Sequence, residues 1–399
     1  MDGHFSIAVM SDLHVHNSPA SPPSHIGIAD PEDHATRHPI TGLKKLITDE
    51  KLTCDIVMCA GDATDKAEPA CLKYAWQKLH DLKILLGAKH VIATAGNHDL
   101  DSRYNHNDFD AKGHLQALTP AFPGLSEIEC DKYWARNYAI CELPNVRILC
   151  LNSAAYHGSG KTQSEELERG RISANTLASI ECALQSTSPA KISLLLCHHH
   201  LYRDNSVSDA DYSEMDGADR LIALLGSGRF GQWLVIHGHK HRPKLCYAAG
   251  SGSAPVIFGA GSLAAMLYPH LAAQARNQFH LVTMPYSIFD ELGIELAGTI
   301  ASWDWVPLRG WQKAGKDSGL PHAAGFGYRP SFIKDIRRIK EIVDDRSLFV
   351  DWTVILSKMP ELRYILPEDA NRLARCLREN EIDYTCDDDG VIKQLSRRC

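Results

Sequence analysis

Basic residues are in deficit: 42 Lys and Arg stand against 49 Asp and Glu, a net charge of −7. A broad cationic surface of the kind that neutralises a phosphate backbone is thereby disfavoured, and nucleic acid with it, although a local patch is not. No C-x-x-C pair occurs among the twelve cysteines, which argues against a zinc ribbon or a disulfide framework. No uninterrupted apolar run reaches the roughly 18 residues that a membrane-spanning helix needs. The N-terminus, MDGHFSIAVMSDLHVH, lacks a basic leader, and its apolar stretch stops at Ser11 and Asp12, so it reads as a first strand and not an export signal. These absences predict a soluble cytoplasmic protein whose thiols stay reduced and pack as small hydrophobes.

With 399 residues and 44% hydrophobic content, the chain is long enough for one large domain plus a smaller one. Its first two thirds alternate short β-rich runs with helical-period segments, the pattern of an α/β architecture. FSIAVM, DIVMC, HVIAT, RILCLN, KISLLLC, WLVIHG and PVIFG read as buried strands. Helices are expected near Thr41 to Asp49, over Pro69 to Leu86, and after Ser173, a natural N-cap for SANTLASIECALQ. QFHLVTM and GIELAGTIASW add two strands. The expected boundaries are a catalytic domain over 1–309, a linker or mobile loop over 310–327, rich in Gly, Lys and His, and an accessory domain over 328–399. That last piece is α/β or helical, with charged segments SFIKDIRRIKEIV and PEDANRLARCLRENEI and a turn at TCDDDG.

Chemistry-bearing residues follow the strands directly. Asp12 and His14 come after FSIAVM, Asp62 after DIVMC, and Asn97, His98 and Asp99 after HVIAT. His198, His199 and His200 follow KISLLLC, and His239 and His241 follow WLVI. The carboxyl ends of strands in an open α/β sheet gather at one edge, so five distant segments can deliver ligands to one crevice. Carboxylate, amide and imidazole without thiolate suit borderline divalent ions: manganese, iron, zinc or cobalt. A carboxylate shared by two cations about 3.5–4 Å apart makes a two-metal hydrolytic centre.

D-x-H, G-D, G-N-H-D, a strand-end His and G-H-x-H, in this order over roughly Ser6 to Trp305, resemble the calcineurin-like metallophosphoesterase superfamily. The passage LNSAAY to ERGRISANTLASIECAL is similar to class III cyclic nucleotide phosphodiesterases and purple acid phosphatases. The resemblance implies a four-layer α/β/β/α sandwich and two divalent metal ions. It places Asp12, His14 and His241 on the first ion, Asp62 bridging, and Asn97, His198 and His239 on the second. A bridge must be a carboxylate because both its oxygens can serve a cation, and the neutral Asn97 carbonyl avoids adding charge where a phosphate anion binds. His98 is implied as the non-ligand that faces the leaving oxygen and either gives it a proton or stabilises its developing charge, with Asp99 orienting it. Within the HHH run, a ligand should be the first polar residue at the strand end, which favours His198 over His199; His199 and Tyr202 would then face substrate or pack against the loop.

Each motif alone is a polar turn as readily as a site; their joint order carries the reading. His16, His25, His34, His38, His106 and His114 lie in polar loops and are expected to be solvated, with His16 and His106 near enough to line the pocket. Cys59 and Cys197 read as core, and Trp303, Trp305 and Trp311 as packing aromatics. GSGKT at Gly158 to Thr162 fails P-loop spacing, and GAGSLA at Gly259 to Ala264 lacks the βαβ unit of a dinucleotide site. The expected activity is hydrolysis of a small phosphodiester, cyclic nucleotide-like, through a metal-bridging hydroxide. The rivals are a DNA-processing nuclease of the same superfamily and a non-catalytic scaffold. The accessory domain would dimerise, recruit a protein partner or gate the site.

Overall fold

The computed structural model describes residues 3–18, 20–158, 169–203, 213–250, 252–344, 349–387 and 390–397. Sixteen strands occur among these, in chain order: β1 His4–Met10, β2 Ile56–Cys59, β3 His90–Ala93, β4 Tyr138–Leu143, β5 Val146–Leu151, β6 Ile192–Leu196, β7 Trp233–His237, β8 Pro243–Tyr247, β9 Val256–Ala260, β10 Gln278–Pro285, β11 Gly298–Val306, β12 Gly310–Lys313, β13 Ala323–Phe326, β14 Val350–Asp351, β15 Ile382–Cys386 and β16 Ile392–Arg397. One sheet runs β12-β11-β10-β1-β2-β3, with β13 also on β11; a second runs β4-β5-β6-β7-β9-β8. The pairs β1–β2, β2–β3, β5–β6, β6–β7 and β7–β9 are parallel. Such strands are covered on both faces, which is why they read as continuous apolar runs with little alternation.

The inner faces of both sheets meet in one core: Ile7, Val9, Val57 and Ile92 share it with Ile148, Leu194, Leu234 and Phe258. Helices α1 (Pro39–Glu50) and α2 (Pro69–Leu85) lie on the outer side of the first sheet and bury Leu43, Ile47, Trp76 and Leu79 into the same cluster. Beyond the second sheet, the helices Ala174–Ser186 and Ala218–Leu225 cover Leu149, Leu195, Trp233 and Val235. Each fully buried Leu or Ile contributes about 1.5–3 kcal/mol. The result is the expected helix/sheet/sheet/helix order. Ser173 caps its helix as expected, its Oγ accepting from Thr176 N at 3.1 Å.

Residues 310–327 are a correction. β12 and β13 lie inside this segment and both pair antiparallel with β11, so the stretch extends the sheet instead of spanning a gap. Glycine and histidine content misled here because edge strands tolerate both. Gly325 admits the backbone of Arg363 and Ile365 where a side chain could not fit.

The tail has its own core, built from Ile336, Ile339, Ile355, Leu373, Leu377 and Leu395 on the helices Phe332–Asp344, Trp352–Lys358 and Pro367–Glu379 and the β14-β16-β15 sheet. Part of the expected TCDDDG turn is strand, since Thr385 and Cys386 belong to β15. Tyr247 on β8 joins the two domains: its hydroxyl donates to Tyr328 O and accepts from Gly327 N, both at 3.2 Å, while Arg329 stacks on its ring.

His16 and His38, expected in solvent, are buried. His16 Nε2 donates to Ser24 O at 3.2 Å, and His38 Nδ1 caps α1 by accepting from Thr41 N. Cys59 and Cys197 are core residues, and Trp303, Trp305 and Trp311 pack together against the first sheet. The GSGKT stretch lies outside the described residues beyond Gly158. No described helix is long and apolar enough to cross a membrane.

Candidate metal centre

The parallel strands β1, β2 and β3 of one sheet and β6 and β7 of the other end at the same edge, and the loops that follow are stitched together by their backbones. Asp12 N donates to Gly61 O, His14 N to Asp62 O and Gly238 N to His198 O, each at 3.0 Å. Five of the seven expected ligands adopt the left-handed backbone: Asp12, His14, Asp62, His239 and His241, with φ between 45° and 74°. A non-glycine residue there costs on the order of 1–3 kcal/mol and persists only where its surroundings over-determine it, which is characteristic of functional sites.

The motif glycines have a steric origin. Gly61 has φ 94°, and a Cβ on it would stand 2.6 Å from His198 Nδ1. A Cβ on Gly96 would overlap the Asp62 carboxylate. Neither position accepts a side chain without displacing a ligand.

The donor atoms form two adjoining groups. In the first, His14 Nε2 and His241 Nε2 lie 3.0 Å apart, and Asp12 Oδ1 is 3.3 Å from His241 Nε2 and 3.9 Å from His14 Nε2. In the second, Asn97 Oδ1 lies 3.2 Å from both His198 Nε2 and His239 Nδ1. Asp62 Oδ2 stands between them, 3.3 Å from His198 Nε2 and 3.8 Å from His14 Nε2. Donors bound at about 2.0–2.2 Å to one cation sit about 3–3.5 Å from one another, so these spacings are those of coordination polyhedra. Two imidazole nitrogens facing at 3.0 Å without a cation leave one lone pair opposed to another or force a proton between them. The set fits two divalent cations.

Charge follows the same geometry. Burial would raise the Asp62 carboxyl's pKa, but the imidazoles of His198, His98 and His14 outweigh it and hold the group well below its ordinary value. Burial pushes His14 down to about 4, keeping its ring neutral and ligand-competent near neutral pH. His198 is pulled the other way: burial would lower it, yet the Asp62 carboxylate lifts it to about 9, a proton that a cation would displace.

His198 and His199 both come to the centre, with differently set tautomers. His198 Nδ1 donates to Ala60 O at 2.8 Å, which directs the Nε2 lone pair at Asp62 and Asn97. Ser153 Oγ accepts backbone N–H groups from His198 at 3.3 Å and His199 at 3.2 Å. With both lone pairs used, its own hydrogen goes to His199 Nδ1 at 2.9 Å. The His199 proton therefore sits on Nε2, which has no hydrogen-bond partner among the described residues. Ring nitrogens of His198, His199 and His239 nevertheless lie within 4.8 Å of one another, so His199 also stands at the second donor group.

His98 lies at the mouth of the centre, its N–H donating to Asp62 Oδ1 at 2.8 Å. Its orienting carboxylate is not Asp99. His98 Nδ1 donates to Asp65 Oδ1 at 3.0 Å. Asp99 is buried beneath, with Oδ1 accepting from Thr64 N and Oδ2 from Gly96 N, so it braces the two loops. Burial, and next the charge of Asp62, raise its carboxyl to about 7. Sequence reasoning missed Asp65 and Ser153. The signal for the first was a second acid three residues after the bridging one, in GDATD.

This edge of paired loops carries His and Asp groups that could hold metal ions. The calcineurin-like phosphoesterase family model matches residues 5–243, and the chain belongs to that family. A second model, wHTH-Calcineurin_assc, matches residues 324–379, so the accessory domain is a winged helix-turn-helix. No curated protein matches the sequence. Among solved structures, the purple acid phosphatase PPD1 from yellow lupin (Lupinus luteus) seeds is similar, with a TM-score of 0.48 and 14% identity over 82% of this chain and 54% of that one. This chain thus spans about half of the lupin protein's length. PhoD has a TM-score of 0.48 and 10% identity over 81% and 70% of the two chains. NAD nucleotidase (NadN) of Haemophilus influenzae has a TM-score of 0.38 and 13% identity over 71% and 47%.

Proposed function

We propose that the chain hydrolyses a small phosphodiester, of the size of a cyclic nucleotide, at a centre of two divalent cations drawn from manganese, iron, zinc and cobalt. Asp12, His14 and His241 hold one cation, Asn97, His198 and His239 the other, and Asp62 serves both. The observation that carries this reading is the position of Asp62 Oδ2 between His14 Nε2 and His198 Nε2. When bound, such ions lower the pKa of water and offset phosphoryl charge. The protein's own residues do the rest. His98, with Nδ1 committed to Asp65, presents its other ring nitrogen to protonate the leaving oxygen. His199, its Nδ1 held by Ser153 Oγ, backs the His198 and His239 rings, and Asp99 keeps the two loops in register. The eleven described cysteines are all free thiols, in keeping with a cytoplasmic setting.

The winged helix-turn-helix domain gives the nuclease alternative its one specific support, because such modules lay a helix in a DNA groove. Its composition opposes that use: residues 328–399 carry 14 basic and 14 acidic residues. On the helix Pro367–Glu379, Arg372 stacks on Phe332 and Arg378 on Tyr384. Ala370, Asn371 and Ala374 of the same helix line a cavity shared with β13 of the catalytic domain, so that face is turned inward.

A manganese-supplemented screen of cyclic nucleotides, model diesters, monoesters and single-stranded DNA tests the reading. Diester turnover that disappears in Asp62→Ala together with the metal, and slows about a hundredfold in His98→Ala with metal retained, is expected. Purified protein that binds no metal, or turns over DNA alone with a steep salt dependence, would overturn it.

A further inference from the structure

Beside the metal centre, on the His98 side, lies a cleft of about 310 Å³ lined by Lys66, Asn97, His98, Asp101, Arg103 and Asn105 among others. From it we infer that the substrate's leaving group is anionic: Lys66 and Arg103 form a subsite for a carboxylate or a second phosphate on the departing alcohol. The inference rests on the phosphoesterase reading above and narrows it to open-chain diesters, since a cyclic diester releases no separate alcohol, and it adds the chemical class of the part of the substrate that is released.

Both walls of the cleft are built loops. Lys66 and Ala67 are consecutive non-glycine residues in the left-handed region, with φ 54° and 55°. Two such residues in a row are strained, and the turn is held by Ala67 N, which donates to His98 O at 2.7 Å. The turn that presents Lys66 is therefore fastened to the backbone of the proton donor itself. Opposite, the Asp101 carboxylate accepts backbone N–H groups from Asn105 at 2.8 Å, His106 at 2.7 Å and Asn107 at 2.9 Å. That carboxylate shapes the loop carrying Arg103 and is itself satisfied by three donors. Arg103 makes no ion pair among the described residues. Lys66 Nζ has only a loose contact, 3.5 Å from Asp65 Oδ2, a carboxylate already engaged by His98. An exposed pair of that length contributes little and yields readily to a ligand.

The cleft thus offers two cations and no uncommitted carboxylate within reach of His98. A neutral leaving group would gain nothing from Lys66 and Arg103; a carboxylate or phosphate gains charge-assisted hydrogen bonds from both. Their location on the proton-donor side assigns them to the departing group.

The test uses an isosteric pair, the methyl phosphodiesters of 3-hydroxybenzoate and 3-hydroxybenzamide, with the full-length manganese-loaded protein. The wild type is expected to favour the carboxylate ester about tenfold in kcat/KM, a preference that falls to near unity in Lys66→Gln/Arg103→Gln. A calorimetric arm titrates the two free phenols: 3-hydroxybenzoate should bind about tenfold more tightly than the amide, and the double substitution should erase the difference. No preference in the wild type, or one that survives the double substitution, overturns the subsite. If neither ester turns over while the binding preference is present and lost in the variant, the phosphoesterase reading falls and the anion site stands.

Discussion

His98 Nδ1 points at Asp65 Oδ1 from 3.0 Å, three residues beyond the carboxylate that joins the two ligand groups. One short loop, Asp62 to Asp65, therefore supplies both the proposed shared metal carboxylate and the group that aims the proposed proton donor. Burial would lower the pKa of His98, but the charges of Asp62 and Asp65 raise it above its ordinary value. Removing the Asp65 charge lowers it again, so protonated His98 is lost at a lower pH. Asp65→Asn is expected to cut kcat at least tenfold and to move the alkaline limb of its pH profile toward acid, with metal content unchanged. A profile that keeps its alkaline limb in place would show that Asp65 does not act through His98.

The two neighbouring imidazoles should separate cleanly. His198→Ala is expected to lose one of two bound metals, measured by elemental analysis after purification without chelator. His199→Ala should keep both, because His199 Nδ1 is taken by Ser153 Oγ and its Nε2 is not one of the proposed ligand atoms. Loss of a metal from the His199 variant would reverse the tautomer assignment made from Ser153.

Gly96→Ala should mimic loss of Asp62 although no ligand is touched. The added methyl overlaps the Asp62 carboxylate, and the backbone N of Asp62 stands 2.5 Å from it as well. Expected is a folded protein, by circular dichroism, with less than one metal bound per chain. Full metal content would mean that the loop adapts.

Acid should weaken the fold through His280, whose ring is buried between the sheets. Its Nε2 donates to Ala260 O at 2.5 Å and its Nδ1 accepts from Ser302 Oγ at 2.8 Å. Burial depresses its pKa to about 4. The unfolded chain takes up this proton near pH 6.5 while the folded chain resists until about 4, so stability is full above pH 6.5 and declines as pH falls toward 4. The contribution is on the order of 3 kcal/mol. Urea midpoints of wild type and His280→Gln, far apart at pH 7, should converge by pH 4; parallel curves would assign the acid sensitivity elsewhere.

Where the chemistry sits was legible from sequence because ligand residues follow buried strands directly, and the carboxyl ends of parallel strands share an edge whatever the loops do. Local order put Asp12, His14, Asp62, Asn97, His198, His239 and His241 among the residues at strand ends, the family resemblance picked them as the ligands, and the structure brings all seven to one edge. Which acid faces His98 depended on tertiary contact: Asp99 is adjacent in sequence, yet its oxygens are taken by the backbone of Gly96 and Thr64, while Asp65 arrives across the loop. How the His198 and His199 rings are held likewise depended on Ala60 O and Ser153 Oγ, groups 138 and 46 residues away. Segment 310–327 became sheet because β11 offered it an edge. Strand periodicity and motif order are properties of neighbours along the chain, whereas tautomers, proton partners and edge pairing are set by groups that only folding brings within 3 Å or so.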